Sequence, residues 1–318
     1  MQVENLKTYF PIKRGVFART VGHIKAVDDV SFAILKGETI GLVGESGCGK
    51  TTLGRTLIGL EKAREGKITF KGNDFINASS ALRKEYCKNI QLIFQDPFSS
   101  LNPRMTILDI LTEGLVEHNK IEFSPEKDAT ILLEEVGLNK EALYRYPHEF
   151  SGGQRQRIGI ARAISLKPDL IICDESVSAL DVSVQAQVLN LLMDLREKYK
   201  MSYLFISHDL SVVRQISHKV AVMYLGKIVE FGDTEAIIQN PQHPYTKALI
   251  SAVPVPGKPH HEKIVMKGEV PSAANPPAGC RFHTRCPIAT EICSSKEPKL
   301  ELQGTTIVAC HHTSAVSR

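Results

Sequence analysis

Short, continuously apolar runs alternate along the chain with segments in which apolar residues recur every three or four positions. Apolar runs bounded by polar residues or glycine are typical of buried strands, and the longer period is typical of amphipathic helices. The pattern predicts strands at residues 27–34, 39–43, 67–71, 89–94, 170–173, 203–206, 220–224 and 228–231, the last two as a hairpin. It predicts helices at residues 51–58, 107–116, 129–136 and 152–163, and one whose apolar face carries Val184, Val188, Leu191, Leu192 and Leu195. Strands interleaved with helices predict an α/β fold.

Two regions depart from this alternation. Residues 101–150 contain mainly helical patterns, which predicts a helical insertion between strands of the main fold. Residues 236–318 hold ten of the sixteen prolines and four of the seven cysteines, with few long apolar runs, so that any core there is small. We expect a main domain over residues 1–235, with a helical subdomain at about residues 101–160, and an extension over residues 236–318.

Composition narrows the class of protein. A chain of 318 residues can hold one large domain and a smaller one. A formal net charge of +4 argues against a dedicated nucleic-acid binder. No apolar run reaches the roughly 18–20 residues of a membrane helix, and residues 1–5 do not resemble a secretory signal. We therefore expect a cytosolic protein whose seven cysteines are core residues or metal ligands, not disulfides.

A glycine-rich loop follows the predicted strand at residues 39–43 and precedes a predicted helix, which is the context of a phosphate-binding P-loop. Its glycines let successive backbone N–H groups point at phosphate oxygens, and the helix N-terminus adds partial positive charge. Lys50 is placed to reach the β- and γ-phosphates, and Thr51 to offer its hydroxyl to Mg²⁺. The expected nucleotide-binding residues are Gly44, Glu45, Ser46, Gly47, Cys48, Gly49, Lys50, Thr51 and Thr52.

Polar residues follow three of the buried strands. Asp174 and Glu175 end one of them, Gln95 follows the second, and His208 follows the third. Ligands of open α/β sheets bind at the carboxyl ends of strands. Asp174 is suited to hold Mg²⁺ and Glu175 to polarise the attacking water. Gln95 alone is a weak signal, and a lone histidine is more often structural, but the position of His208 after a core strand favours a functional role.

A second anion-binding helix start is predicted at Ser151, Gly152, Gly153 and Gln154, where Ser151 is a natural N-cap. An ordinary helix cap with its arginines on a solvated face is the alternative. Tyr9, Phe10 and Phe17 are candidates to stack on an adenine ring, and ordinary packing is the alternative for each.

Four cysteines lie close together in the C-terminal part of the sequence: Cys280, Cys286, Cys293 and Cys310. Their spacing fits neither a zinc finger nor a bacterial ferredoxin. Binding of a metal or cluster and unbound thiols therefore both stay open.

Six motifs follow one another along the chain: the P-loop, Gln95, Ser151-Gly152-Gly153-Gln154, Asp174-Glu175, Ser178-Ala179-Leu180-Asp181 and His208. In this order they resemble the motifs of the ATP-binding subunit of ABC transporters. The resemblance implies a P-loop core of the RecA-like type, with an antiparallel β subdomain and a helical subdomain. It implies two subunits that meet head to tail, with each ATP held between the P-loop of one and the Ser151 signature of the other. Glu175 would then be the general base, His208 the switch histidine, Gln95 the Q-loop residue that completes the Mg²⁺ shell, and Asp181 the D-loop residue. Tyr9 aligns best with the adenine-stacking aromatic, and Phe17 is its rival.

Three further stretches resemble the oligopeptide/dipeptide importer ATPases: residues 95–105, 240–246 and 279–287. This resemblance implies ATP and Mg²⁺ as cofactors and peptide import as the function, with nickel or glutathione as alternative cargo. It implies a paralogous ATPase partner, two membrane permease subunits and an extracytoplasmic substrate-binding protein, with this chain on the cytoplasmic face of the membrane. It also implies a [4Fe–4S] cluster on Cys280, Cys286, Cys293 and Cys310, a zinc site or no metal being the alternatives.

Two other classes of protein use a similar core. A chromosome or repair ABC ATPase acting on nucleic acid needs a long coiled coil, and no sustained heptads are present in the sequence. A P-loop kinase transfers phosphate to an acceptor substrate, whereas the Asp174-Glu175 pair at a strand end favours water as the acceptor.

Overall fold

The computed structural model describes residues 1–15, 17–98, 100–252, 264–266 and 268–313. The chain divides into two compact units. The first unit consists of Met1–Ala33, Thr39–Ile76 and Ser207–Arg318, and the second of Ile34–Glu38 and Asn77–Ile206. The sequence thus enters the first unit three times, and both units combine sheet with helix.

An antiparallel sheet at the start of the first unit is built from four strands in the order β2-β1-β4-β5. They are β1 (Gln2–Arg14), β2 (Arg19–Ala33), β4 (Glu65–Phe70) and β5 (Asn73–Asp74). Val27 and Val30 of β2 and Leu6 of β1 are fully buried. The two valines are three residues apart, and a register shift between the pairs Leu6–Val30 and Thr8–Val27 interrupts the simple alternation of the strand. The long β1–β2 pairing runs from Gln2–Ala33 to Arg14–Arg19, so the basic stretch at residues 11–22 extends this hairpin.

The other strands of the first unit carry the P-loop. They are β3 (Thr39–Val43), β9 (Lys219–Tyr224), β10 (Lys227–Asp233), β11 (Glu301–Gln303) and β12 (Thr306–Val308), in the order β11-β12-β10-β9-β3. The pairing of β3 with β9 is parallel, and the other pairings are antiparallel. All five residues of β3 are buried. The helices of this unit are α1 (Lys50–Leu57), α7 (Leu210–Ile216), α8 (Thr234–Gln239), α9 (Pro244–Ser251) and α10 (Glu291–Ser295), with a 3₁₀ turn at His283–Arg285.

The second unit contains three parallel strands, β6 (Ile90–Ile93), β7 (Leu170–Asp174) and β8 (Ser202–Ile206), in the order β8-β7-β6. Every residue of β7 and β8 is buried, as expected for strands of a parallel sheet. Its helices are α2 (Ser80–Asn89), α3 (Ile107–Glu117), α4 (Pro125–Glu135), α5 (Gly152–Ile164) and α6 (Val182–Tyr199), with 3₁₀ turns at Lys140–Ala142 and Pro147–Glu149. Helices α3 and α4 occupy the predicted helical insertion.

The elements predicted from hydrophobic periodicity are confirmed, with boundaries that shift by up to eight residues. The largest shift is in β2, which begins at Arg19 instead of residue 27 because it pairs with β1 as far as Arg14. Helix α4 begins at Pro125 because Ser124 caps it and Pro125 fits its first turn. None of the seven cysteines, all of which are described, forms a disulfide. Within the described ranges, no helix has the length and apolarity needed to cross a membrane.

Candidate nucleotide site

The P-loop joins the buried strand β3 to helix α1, as the sequence predicts. All three of its glycines have backbone conformations that other residues rarely adopt, with φ of +154° at Gly44, +78° at Gly47 and +109° at Gly49. A Cβ atom on Gly49 would lie 2.0 Å from the Ala26 carbonyl oxygen, and one on Gly44 would lie 2.1 Å from that of Met223. Glycine is therefore required at both positions by conformation and by close backbone packing.

Lys50 is the first residue of α1, and its side chain folds back into the P-loop. Its side chain is almost fully buried, and Nζ donates to the carbonyl oxygens of Gly44 (2.8 Å) and Glu45 (3.1 Å). Ser46 and Gly47, at the tip of the loop, are exposed. Thr51 and Thr52 occupy the first turn of α1, where backbone N–H groups lack partners within the helix. The loop thus presents an ammonium group, a helix N-terminus and hydroxyl groups in one place, and this is the chemistry that a triphosphate and its Mg²⁺ require.

Glu45 has partners that the local sequence does not reveal. Its backbone N–H donates to the Tyr245 hydroxyl oxygen at 2.8 Å. Its carboxylate accepts two hydrogen bonds from the Arg285 guanidinium, at 2.6 and 3.1 Å. Glu45 thus connects the P-loop to the C-terminal segment, and any contact of its own with nucleotide stays a prediction.

Tyr9 lies on β1, and its hydroxyl donates to a carboxylate oxygen of Asp28. The Arg64 guanidinium carbon lies 5.0 Å from the centre of its ring. Burial raises the pKa of the Tyr9 hydroxyl, and Asp28 raises it further. Phe17 is 84% exposed in the turn between β1 and β2. A half-buried ring and an exposed ring are both accessible to a base, so the choice between them for adenine stacking stays a prediction.

In the second unit, Gln95 and Glu175 lie together at the carboxyl ends of two parallel strands. The register pairs Ile93 of β6 with Cys173 of β7, so that the residues after each strand end are neighbours. Gln95 Nε2 donates to Glu175 Oε2 at 3.1 Å. Glu175 has a φ of +46°, a strained value for a residue with a side chain, and its N–H donates to the Ile206 carbonyl at 3.0 Å. Such strain is typical of functional positions and here fixes the direction of a carboxylate next to the buried Asp174.

The Ser151 turn begins helix α5 with a reciprocal capping box. Ser151 Oγ accepts from the Gln154 N–H at 3.3 Å, and Gln154 Oε1 accepts from the Ser151 N–H at 3.0 Å. A Cβ on Gly153 would lie 2.6 Å from a methyl group of Val184, whose N–H is capped by Asp181 at 3.0 Å. The signature and the start of α6 are therefore packed against each other, with Gly152 and Gly153 half-buried.

The residues after Gln95 rest on helix α5. The Arg155 guanidinium lies 4.2 Å from the centre of the Phe98 ring, and Arg162 Nη1 donates to the Ser100 carbonyl at 2.7 Å. Burial lowers the pKa of Arg162, but a guanidinium remains charged. Phe98 is 60% exposed, and Ser99 lies outside the described residues. This segment connects the signature helix with Gln95 within the second unit.

His208 is exposed in the first unit, just before helix α7. It lines a cavity of about 360 Å³ together with Gly44, Leu249 and Ala252. Asp209 caps α7 by accepting from the Ser211 N–H at 2.8 Å. The histidine predicted from its position after a core strand thus lies beside the first residue of the P-loop.

The four C-terminal cysteines lie in one part of the first unit. The Cys280 N–H donates to the Cys293 carbonyl at 2.8 Å, and His312 contacts the sulfurs of Cys293 and Cys310, each at 3.4 Å. Burial raises the pKa of the Cys280 thiol to about 11. Within the described ranges, no group of three or more His, Cys, Asp or Glu residues is arranged to hold a metal ion. The iron–sulfur cluster expected from the resemblance to importer ATPases is therefore not supported by this arrangement.

The fold and these sites define a P-loop ATPase cassette. The solved structure of the dimeric post-hydrolysis state of the ATP-binding cassette MJ0796 bound to ADP and Pi is similar to this chain, with a TM-score of 0.64 and 24% identity over 73% of this chain and 98% of that chain. This likeness concerns the fold alone. A family described as ABC transporter matches residues 27–178, and one described as oligopeptide/dipeptide transporter, C-terminal region, matches residues 229–293.

Curated relatives match nearly from end to end. The oligopeptide transport ATP-binding protein AppF of Bacillus subtilis is 56% identical over 98% of this chain and 96% of its own length. The dipeptide transport ATP-binding protein DppF of Haemophilus influenzae is 50% identical, over 96% and 94%, and the oligopeptide transport ATP-binding protein OppF of Salmonella typhimurium is 50% identical, over 98% and 95%. The chain belongs to the family of ABC transporter ATP-binding subunits, in its oligopeptide/dipeptide branch. ATP hydrolysis is characteristic of this family, so the recognition, the fold and the enzyme class predicted from the sequence are confirmed.

Proposed function

We propose that this chain is the ATP-hydrolysing subunit that energises import of di- and oligopeptides through a separate pair of membrane permease subunits. The observation that carries the proposal is the near end-to-end identity with subunits named for oligopeptide and dipeptide transport. The C-terminal match at residues 229–293 supports it independently, and it also supports a division into a nucleotide-binding domain at residues 1–235 and an extension at 236–318.

The chemistry proposed for this chain uses its own oxygen and nitrogen donors. We assign Thr51, Gln95 and Asp174 to Mg²⁺, because a hydroxyl, an amide oxygen and a carboxylate are the hard ligands that this ion prefers. When bound, Mg²⁺ would neutralise developing charge on the phosphates. Glu175 would accept the proton of the attacking water, with Gln95 holding its carboxylate, and His208 would contact the γ-phosphate. Lys50 and the P-loop N–H groups would hold the phosphates.

The other half of each ATP site would come from a second subunit. We propose that Ser151, Gly152, Gly153 and Gln154 reach the γ-phosphate of ATP bound to a partner, with Asp181 beside them. A paralogous ATPase is the partner we favour. The segment from Phe98 to Met105, apart from Ser99, would pass the motion to the permease, because α5 ties it to the signature. A substrate-binding protein outside the membrane would complete the importer, with this chain peripheral on the cytoplasmic face.

Replacement of Glu175 tests the mechanism. Glu175→Gln keeps the size and hydrogen-bonding capacity of the side chain but removes the base, so ATP turnover should fall by about 10²–10⁴-fold while ATP binding persists. Phosphate release and ATP affinity of the assembled transporter measure the two effects. Glu197→Gln, on the exposed side of α6, is a matched control that should leave both unchanged. Normal turnover in the Glu175 variant would falsify the assignment of the base.

Cargo is tested by isolating the complex from its native membrane and identifying the permease and binding protein that accompany the chain. Peptide-stimulated ATP hydrolysis by that complex supports the proposal. Stimulation by nickel or glutathione instead would select the alternative cargo, and salt-sensitive binding of nucleic acid without any permease would revive a non-transport ABC ATPase.

Iron–sulfur ligation by Cys280, Cys286, Cys293 and Cys310 stays a prediction. It is tested by iron analysis and visible absorbance of anaerobically purified protein. A colourless, iron-free sample whose Cys286→Ser variant is equally stable contradicts it.

A further inference from the structure

Residues 240–246 and 279–287 resemble the importer ATPases in sequence. Each of these two stretches also places one side chain on the P-loop. We propose that Arg285 and Tyr245 are positioning residues for ATP: they hold Glu45, and through it the P-loop, in the conformation that accepts phosphate. The proposal rests on ATP binding and not on the identity of the cargo.

The ion pair between Arg285 and Glu45 is shielded from water. The Arg285 side chain is 7% exposed and that of Glu45 is 25% exposed. Two parallel hydrogen bonds fix both the distance and the orientation of the planar groups. Desolvation offsets much of the net gain from such a pair, but loss of one member leaves a partly buried charge without its partner, which is costly.

Tyr245 fixes the backbone of the same residue. Its ring is fully buried and packs on Tyr224 and Phe282, with ring centres 4.8 and 5.4 Å away. Its hydroxyl oxygen accepts the Glu45 N–H at 2.8 Å. A rigid aromatic group therefore determines where the second residue of the P-loop lies.

Glu45 transmits this restraint to the phosphate-binding groups. Its own carbonyl accepts a hydrogen bond from Lys50, which also donates to the carbonyl of Gly44. The N–H, the carboxylate and the carbonyl of Glu45 are thus bound by Tyr245, Arg285 and Lys50 respectively. Movement of Glu45 would displace the lysine that is expected to reach the phosphates, so the C-terminal segment sets the starting position of Lys50.

The glycines of the loop make such support necessary. Glycine allows the backbone more conformations than any other residue does. A loop with Gly44, Gly47 and Gly49 therefore loses much conformational entropy when it becomes ordered. Contacts made before ATP arrives meet this cost in advance and leave more of the binding energy for the nucleotide. Arg285 and Tyr245 supply such contacts at Glu45, next to the exposed tip of the loop at Ser46 and Gly47.

Affinity of the full-length chain for a non-hydrolysable ATP analogue tests the proposal. Arg285→Gln and Glu45→Gln should each raise the Kd about 10-fold, because each removes a charge-assisted pair. Arg285→Lys should restore only part of the affinity, since an ammonium group cannot form the two parallel bonds. The double variant Glu45→Gln with Arg285→Gln should bind no more weakly than either single variant, because the same interaction is lost in all three.

Tyr245→Phe removes one oxygen and keeps the ring, so it provides a second route if Arg285→Gln fails to fold. It should raise the Kd for the analogue about 5-fold. Two matched controls should leave the Kd unchanged. Arg214→Gln removes another bidentate ion pair, with Glu235, and Tyr203→Phe removes another buried tyrosine hydroxyl, which donates to the Leu192 carbonyl.

Steady-state kinetics separate positioning from stability alone. Loss of positioning should raise the KM for ATP and leave kcat of the assembled transporter largely intact, whereas partial unfolding would lower kcat at constant KM. Folded Tyr245→Phe and Arg285→Gln variants whose Kd and KM remain within about twofold of the wild-type values overturn the proposal. Failure of peptide transport with these ATP effects intact would instead count against the proposed cargo.

Discussion

The two glycine-led helix starts of this chain are stabilised in opposite ways. The Ser151 turn is local: Ser151 and Gln154 cap each other within four residues of sequence. The P-loop begins its helix at Gly49, which has no side chain to act as a cap, in a left-handed conformation. Its order comes from distant residues, through Arg285 and Tyr245 on Glu45 and through the close approach of the Ala26 carbonyl to Gly49.

This difference indicates different roles in the catalytic cycle. A self-capped turn keeps its shape when its surroundings change, which suits a signature expected to meet and leave a partner's nucleotide. The P-loop is held by distant residues, so its conformation is expected to change when those residues move. The P-loop is therefore the more sensitive of the two to changes elsewhere in the first unit, and the Ser151 turn is the more sensitive to changes in its own four residues.

The largest effect is expected for Gly49→Ala. The added Cβ would meet the Ala26 carbonyl at 2.0 Å in a conformation with φ of +109°, so stability should fall by about 3 kcal/mol or more and ATP binding should be lost. Gly47→Ala is the comparison, because Gly47 also has positive φ but open space around it, and about 1 kcal/mol is expected there. Denaturant unfolding and ATP affinity measure both. Equal effects at the two positions would contradict the role assigned to tertiary packing.

An intermediate effect is expected on acidification, through a buried histidine of the first unit. His243 caps α9, the helix of Tyr245, by accepting the Tyr245 N–H at its Nδ1 (3.1 Å), and burial lowers its pKa to about 3. The unfolded chain takes up this proton below about pH 6.5 and the folded chain does not, so stability falls as the pH drops from there towards 3. Between pH 7 and 5.5 the loss should be about 1 kcal/mol.

His243→Asn keeps a capping oxygen but does not titrate, so its stability relative to wild type should improve by that amount over the same pH range. Thermal unfolding of the two proteins at both pH values makes the measurement. Nearby Glu230, whose pKa is raised by burial, acts in the opposite direction, and Lys247 is the other charge that faces His243; both are present in the two proteins and cancel in the difference. Parallel pH curves would contradict this assignment.

The smallest effect is expected for Ser151→Ala. Removal of one cap costs about 1 kcal/mol of stability, and ATP affinity of the isolated chain should not change, because the signature is expected to act on the partner's nucleotide. Ser124→Ala, which removes the equivalent cap of α4, should cost as much. Loss of ATP-dependent dimer formation in the Ser151 variant alone would support a role of the Ser151 turn at the partner's nucleotide. Weaker ATP binding by the isolated Ser151 variant would contradict that role.

Local patterns sufficed to predict most of the elements and the residues of both helix starts. The buried runs at β3 and β7, the glycine spacing of the P-loop and the Ser151 cap are all properties of adjacent residues. The parallel register of β6 and β7 then follows from the general rules for α/β sheets, and it brings Gln95 and Glu175 together as expected.

Properties set by distant residues were not accessible in this way. Nothing near Glu45 in sequence indicates Tyr245 or Arg285, and the positive φ of Glu175 depends on the hydrogen bond from its N–H to Ile206. The contacts of the C-terminal cysteines are also set by residues apart in sequence: the Cys280 N–H donates to the Cys293 carbonyl, and His312 contacts the sulfurs of Cys293 and Cys310. Their clustering in sequence predicts ligation of a metal or cluster, and that stays a prediction.

The separation between Glu45 and Arg285 in sequence, 240 residues, has a consequence for synthesis. A ribosome adding roughly 5–20 residues per second leaves about 12–48 s between the two. During that interval the nascent P-loop exists without its guanidinium partner, and we expect it to bind ATP more weakly, as for Arg285→Gln. The order of translation therefore places full ATP affinity after the synthesis of Arg285.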